Sequence, residues 1–119
     1  MAERFTLKHS DEFERSGRWS LVRRSLGVGS FGMNLVELEP DDRIPEHDET
    51  ERAQEEVFIV LEGEAALVID GEEHRAPVGT YARLDPEPTR TVVNKGRTKA
   101  RILIVSAPVS SGYAPPDWA

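Results

Sequence analysis

The stretch Gln54-Glu55-Glu56-Val57-Phe58-Ile59-Val60-Leu61-Glu62, followed by Gly63 and then by Glu64-Ala65-Ala66-Leu67-Val68-Ile69-Asp70-Gly71, decides the fold. Five consecutive apolar residues, mostly β-branched or aromatic, sit between acidic residues, with no 3.6-residue period. That pattern reads as a strand over residues 54–62 with core on both faces. Glu62-Gly63 supplies a tight turn, and residues 64–70 read as the returning strand. Asp70-Gly71 is a strong two-residue hairpin signal, because both positions of that turn need positive φ. Residues 72–75 then read as a further short strand.

The same grammar extends in both directions. Upstream, residues 19–26 and 31–39 read as strands joined by Gly27-Val28-Gly29-Ser30. Downstream, Pro77-Val78-Gly79 turns the chain into a strand over 80–84, which stops at Asp85-Pro86-Glu87-Pro88. Residues 90–94 and 101–105 complete the set, with Lys95-Gly96 as a turn between them. About eight short strands in some 90 residues with brief connections predict an all-β fold that closes as a jelly-roll sandwich or barrel. Residues 19–108 form the barrel. Residues 1–18 are a polar lead-in in which Ser10 caps one helical turn. Residues 109–119 are an extended arm whose Trp118 is expected to dock on an apolar surface.

Composition narrows the function. The 119 residues carry a net charge of −7 and no cysteine. Disulfides, thiolate metal sites and cysteine nucleophiles are thereby excluded. Between Glu37 and Glu56 there are ten Asp or Glu residues against two Arg. An acidic surface of that kind repels phosphate backbones and anionic membranes, so neither nucleic acid nor membrane is an expected partner. No apolar run reaches the roughly 18 residues of a membrane span, and the charged start lacks a signal-peptide core. The expected location is the cytoplasm. Gly27-Val28-Gly29 leads into a strand rather than a helix, so it is no nucleotide fingerprint. No nucleophile elbow accompanies the serines.

Residues 54–75 and 77–94 together resemble the two motifs of the cupin superfamily. Glu56 and Gly63 match the Glu-x6-Gly core of the first motif. Pro77-Val78-Gly79 matches the turn of the second, and Asn94 its terminal Asn. The resemblance covers residues 34–106 and implies a double-stranded β-helix, or jelly-roll barrel. It also implies an interior metal such as Fe, Mn, Ni or Zn, held by three His and one Glu, and a homodimer. Alternating residues on facing strands point inward, which is how such ligands converge.

The sequence departs from that pattern at the ligands themselves. A His-x-His pair is expected shortly before the Glu. Here His47 fits the first place and Glu49 the second, but their distance to Glu56 is about two residues too long. Counting back from Glu56 puts Glu49 and Glu51 there instead, with His47 outside. Both registers stay open. The later His position is Arg90, which stays protonated and is a poor ligand.

Two site readings follow. In one, no metal binds and Arg90 pairs internally with Glu56 or Glu49. In the other, His47, Glu49 and Glu56 hold a divalent metal ion while Arg90 orients an anionic substrate. The first is the leading expectation: a small-molecule-binding protein without a redox metal. Its pocket would be lined by His47, Glu49, Glu56 and Arg90, and Arg90 would offer a forked donor to an anionic ligand. Asn34 shares the parity of Val36 and Leu38 and is a further inward candidate. The alternative is an enzyme, either a metal-dependent dioxygenase, isomerase or lyase using His47, Glu49 and Glu56, or a metal-free isomerase or lyase using His47 or Glu56 as acid or base. His9, His74, Tyr81 and Arg83 are expected on the outside.

Overall fold

The computed structural model describes residues 4–119, so the first residues of the expected lead-in lie outside the described residues. A 3-10 turn at Ser10–Glu12 opens the described chain, and its N-cap is His9 rather than Ser10. The strands are β1 (Arg15–Ser16), β2 (Trp19–Ser20), β3 (Gly32–Leu38), β4 (Gln54–Glu62) and β5 (Glu64–Ile69), then β6 (Glu72–Pro77), β7 (Tyr81–Leu84), β8 (Arg90–Asn94) and β9 (Ala100–Pro108). One short helix, α1 (Val22–Leu26), precedes β3.

The strands form two antiparallel sheets, one in the order β1-β2-β3-β9-β4-β7 and one in the order β6-β5-β8. The segment after β3 lengthens the small sheet beyond β8. There Arg43 bridges Val93 and His47 bridges Arg90. The fold is thus an all-β jelly-roll barrel, as the strand pattern implies.

Inward parity builds the core. Val36 and Leu38 of β3, Phe58 and Val60 of β4, Leu67 of β5, Leu84 of β7, Val92 of β8 and Ile102 and Ile104 of β9 form one buried cluster. At Asp70-Gly71 the hairpin has the expected geometry, with φ of 49° and 80°, and Ile69 pairs with Glu72 across it. Gly79 also takes positive φ, and Thr80 N–H donates to Pro77 C=O to close that turn.

Three further expectations are corrected. Residues 19–26 are not one strand. After Trp19–Ser20 the chain makes α1, which ends at Gly27 in the left-handed conformation with its N–H donating to Arg23 and Arg24 C=O. The glycine is the helix stop that this conformation favours, and Val22 is buried as α1 lies against β3. Second, β4 is not core on both faces: Glu56, Phe58 and Val60 are buried, Val57 and Ile59 are half-buried, and Leu61 is exposed. Third, Trp118 docks on no apolar surface among the described residues, being 88% exposed. Tyr81 and Arg83 lie outside as expected, as do His9 and His74. No helix among the described residues is long and apolar enough to cross a membrane.

Candidate functional site

Three backbone devices place the site residues. His47 is fixed by a reciprocal pair of backbone bonds to Arg90: His47 N–H donates to Arg90 C=O at 3.1 Å, and Arg90 N–H to His47 C=O at 2.8 Å. Residues paired directly across an antiparallel ladder project to the same face, so both side chains enter the barrel. Glu49 is anchored by its N–H to Pro86 C=O at 2.9 Å, and its own C=O accepts from Gln54 N–H at 3.2 Å. Glu56 enters with the inward parity of β4, opposite Leu84 on β7 and Ser106 on β9.

The register left open by the sequence is thereby resolved. His47, Glu49 and Glu56 each offer a ligand atom within 4.8 Å of the others. Glu51 is exposed and stands outside this group. The surplus residues are absorbed by the turn at residues 50–53. Asp48 Oδ1 accepts from Thr50 N–H and Thr50 Oγ1, and Ala53 takes φ of 49°.

His47 Nδ1 lies 2.9 Å from Pro45 C=O. A carbonyl only accepts, so Nδ1 carries the proton. Nε2, on the other side of the ring, lies 3.3 Å from Glu49 Oε2 and 3.9 Å from Glu56 Oε1. Arg90 Nε approaches the same Glu56 oxygen at 3.3 Å. That contact is an ion pair too long or too bent for a hydrogen bond, and both atoms are buried without a hydrogen-bond partner among the described residues. Burial pushes the Glu56 carboxyl above the usual carboxylate range, and the neighbouring Glu49 carboxylate adds to this. Arg90 and His47 pull the other way.

Arg90 meets the expectation of facing Glu56, but not that of offering its fork to a ligand. Its side chain has no exposed surface. Nη1 donates to Pro86 C=O at 3.1 Å and Pro88 C=O at 2.7 Å, and Nη2 to Asp85 C=O at 2.6 Å. The Asp-Pro-Glu-Pro loop wraps its carbonyls around the guanidinium, which reaches the site only through Glu56.

A cavity of about 400 Å³ opens beside the group, lined by Trp19, Met33, Asn34, Ile44, Pro45, His47, Glu56, Ile104 and Ser106. Asn34 is therefore at the wall, as its parity implied. Trp19 and Ser106 are wall residues that sequence reasoning missed. Ser106 had a signal, since extending the last strand by one residue places it opposite Glu56. No lysine or arginine is among the described residues lining the cavity.

The metal that the resemblance implies calls for three imidazoles and a carboxylate. One imidazole is present, Glu49 stands in for a second, and the third place is a guanidinium. Its Nε already neighbours the Glu56 oxygen that a metal would need. This donor set does not fit a resident metal held by imidazoles.

Comparison with known proteins agrees with the fold. Residues 34–106 match the family described as Cupin domain. A cupin protein from Bacteroides fragilis superposes with a TM-score of 0.81 at 17% identity, covering 97% of this chain and 93% of that one. A sugar phosphate isomerase of the cupin superfamily from Silicibacter pomeroyi gives 0.66 at 28% identity, over 75% of this chain and 57% of that one. A predicted oxalate decarboxylase from Thermotoga maritima gives 0.73 at 16% identity, over 87% and 100%. No curated protein matches the chain at a significant level. With well over half of its length inside the family match and the Glu56–Gly63 motif on β4 and the turn that follows it, the chain belongs to the cupin domain family.

Proposed function

We propose that this protein binds a small molecule in the mouth of its barrel, between Trp19 and the His47–Glu56 pair. The observation that supports this is the cavity itself. Apolar walls from Trp19, Met33, Ile44 and Ile104 lead to the His47 imidazole and the Glu56 carboxyl group. Its volume lies in the range of small-molecule sites, which pair apolar walls with a few polar groups. The test is calorimetric titration against a set of small polar metabolites, repeated on Ser106→Leu, which fills the cavity from the wall. Binding lost in the filled variant while its circular dichroism is unchanged supports the reading. Ligands that bind both proteins equally overturn it.

A second reading, metal-free proton transfer, has its own support. Glu56 is a carboxyl whose proton affinity is raised by burial, and it lines the cavity. His47 beside it is a second proton carrier. A general acid and base need such placement and such tuning. The likeness to a sugar phosphate isomerase brings sugar phosphates into the set of compounds to test. The lining supplies no cation for their phosphate. Deuterium uptake from heavy water at a carbon next to a carbonyl, present in wild type and absent in His47→Ala, supports this reading. Equal uptake in both proteins removes it.

A further inference from the structure

With the barrel mouth taken as the ligand site, we propose that its ligand is an uncharged cyclic polyol the size of a single sugar ring, its hydroxyl groups turned to Asn34, Ser106 and Glu56 and its ring carbons set against Trp19 and Ile104.

Uncommitted hydrogen-bonding groups are the first support. Asn34, Ser106 and Glu56 line the cavity from three neighbouring strands, β3, β9 and β4. Ser106 pairs with Glu56 on one side and with Gly32 on the other, and Asn34 pairs with Ile104. Side chains directly opposite in such a ladder stand about 4.5–5.5 Å apart at Cβ, so the polar groups are spaced on the scale of one six-membered ring. Unlike the Asn94 amide, which makes three hydrogen bonds, the Asn34 amide and the Ser106 hydroxyl make none with any described residue. Glu56 Oε1 is buried and equally without a hydrogen-bond partner among them. Gly32 keeps this row open, since a Cβ there would collide with Ser106 Oγ.

The second support is that the ligand has no charge to balance. Glu56 has its counter-charge in Arg90, whose Nε lies 3.3 Å away, and a cationic ligand would compete with that guanidinium for the same carboxyl group. A charge on His47 is answered by Glu49 Oε2, 3.3 Å from its Nε2, and Glu49 stands outside the cavity lining. An anion would face the Glu56 carboxyl with no lysine or arginine among the described lining residues to receive it. A hydroxyl both donates and accepts, and the Asn amide and Ser hydroxyl offer both roles in return. It therefore suits the His47 imidazole in either protonation state.

The third support is the rest of the wall. Trp19, Met33, Ile44, Pro45 and Ile104 are apolar, and the cavity of about 400 Å³ lies near the small end of small-molecule sites. A ring with hydroxyls along one edge and C–H groups elsewhere divides its own surface in the same way. Its polar edge meets the row on β3, β9 and β4, and its carbons meet the indole and the aliphatic side chains.

The experiment compares four probes built on one ring: vicinal cis-cyclohexanediol, cyclohexanol, cyclohexylammonium and cyclohexanecarboxylate. Each is titrated into isotope-labelled full-length protein, and dissociation constants are read from the amide NMR shifts of Asn34, Ser106 and their neighbours. The diol is expected to bind about fivefold tighter than cyclohexanol, as one added hydrogen bond is worth, and tighter than either charged probe. Ser106→Ala and Asn34→Ala are each expected to cut the preference for diol over cyclohexanol to about twofold or less. Should Asn34→Ala fail to fold, Ser106→Ala alone carries the comparison.

Cyclohexanol binding as tightly as the diol overturns the polyol assignment and leaves the cavity as a ligand site. Either charged probe matching the diol overturns the uncharged assignment with the same consequence. A preference that survives both substitutions also overturns it, because Asn34 and Ser106 then act on packing alone. Absence of saturable shifts from all four probes removes both this assignment and the reading of the barrel mouth as a ligand site.

Discussion

Arg90 Nε and Glu56 Oε1 stand 3.3 Å apart inside the barrel, one on β8 and the other on β4, with neither side chain offering much surface to water. They tie the two sheets together electrostatically where the apolar core gives way to the cavity. A buried charge that loses its partner costs about 3–5 kcal/mol, while removing both charges costs much less. Arg90→Met is therefore expected to lower the unfolding free energy by about that amount in urea melts. The double variant Arg90→Met with Glu56→Gln is expected to recover about 1 kcal/mol or more of it as coupling between the two sites. Recovery remains partial, since the carbonyls of Asp85, Pro86 and Pro88 lose their donor in either case. Strictly additive losses would show that the pair carries no mutual stabilisation.

Stability is expected to depend on pH through Glu56. Burial first, and the Glu49 carboxylate second, raise its folded-state affinity for a proton above the ordinary value. The folded protein then binds more protons than the unfolded chain between the two values, so the contribution of this group falls as pH rises. It is fully present below the ordinary carboxyl range and lost as pH passes the raised folded value. Glu56→Gln removes this slope. Its stability relative to wild type should climb with pH across that window, as read by urea midpoints at several pH values. A constant difference contradicts the raised affinity.

Gly63 of the Glu56–Gly63 motif has φ of 84°, and a Cβ added there would stand 2.8 Å from both Ala100 Cα and Lys99 C=O. Both obstacles are backbone and cannot swing aside. Gly63→Ala is expected to cost at least about 2 kcal/mol, combining left-handed strain with the clash. Gly71→Ala is the control: it has similar φ but open space at the Cβ, so it should cost only the strain, about 1 kcal/mol. Equal midpoints for the two variants would remove the packing explanation.

Asn94 has no solvent exposure. Its Nδ2 donates to Leu38 C=O at 2.9 Å and Thr98 C=O at 2.7 Å, and its Oδ1 accepts from Gly96 N–H at 2.8 Å. One side chain thus holds the end of β3 and the β8–β9 turn. Asn94→Ala is expected to destabilise by about 2–3 kcal/mol, because buried backbone groups are left unpaired. The measurement is denaturant unfolding, with faster amide exchange at Gly96 as a local readout. A loss below about 0.5 kcal/mol would mean that water replaces the amide.

Much of this architecture is legible in the sequence because it follows from period-2 patterning. β4 and β8 start and stop where the sequence pattern places them, and the parity of Phe58 and Val60 carries Glu56 inward. What escapes depends on carbonyls, which every residue has and which therefore leave no trace in composition. The cage that Asp85, Pro86 and Pro88 build around Arg90 is of this kind, and it changes a presumed ligand-binding arginine into an interior strut. The helix at Val22–Leu26 did leave a signal: an apolar residue at each end and a glycine directly after. In the sequence alone the same glycine reads as the junction between two strands. The turn that admits surplus residues between Glu49 and Glu56 depends on Ala53 adopting positive φ, a conformation that the residue type gives no hint of.

The wrapping of Arg90 by backbone oxygens has a further meaning. A ring of carbonyls is how many proteins solicit an ion from their surroundings. Here the charge is bonded to the chain and delivered with every copy translated. Its occupancy cannot vary with ion supply, and chelators have nothing to extract from that position. The interior of this barrel thus owes its positive pole to synthesis rather than to loading.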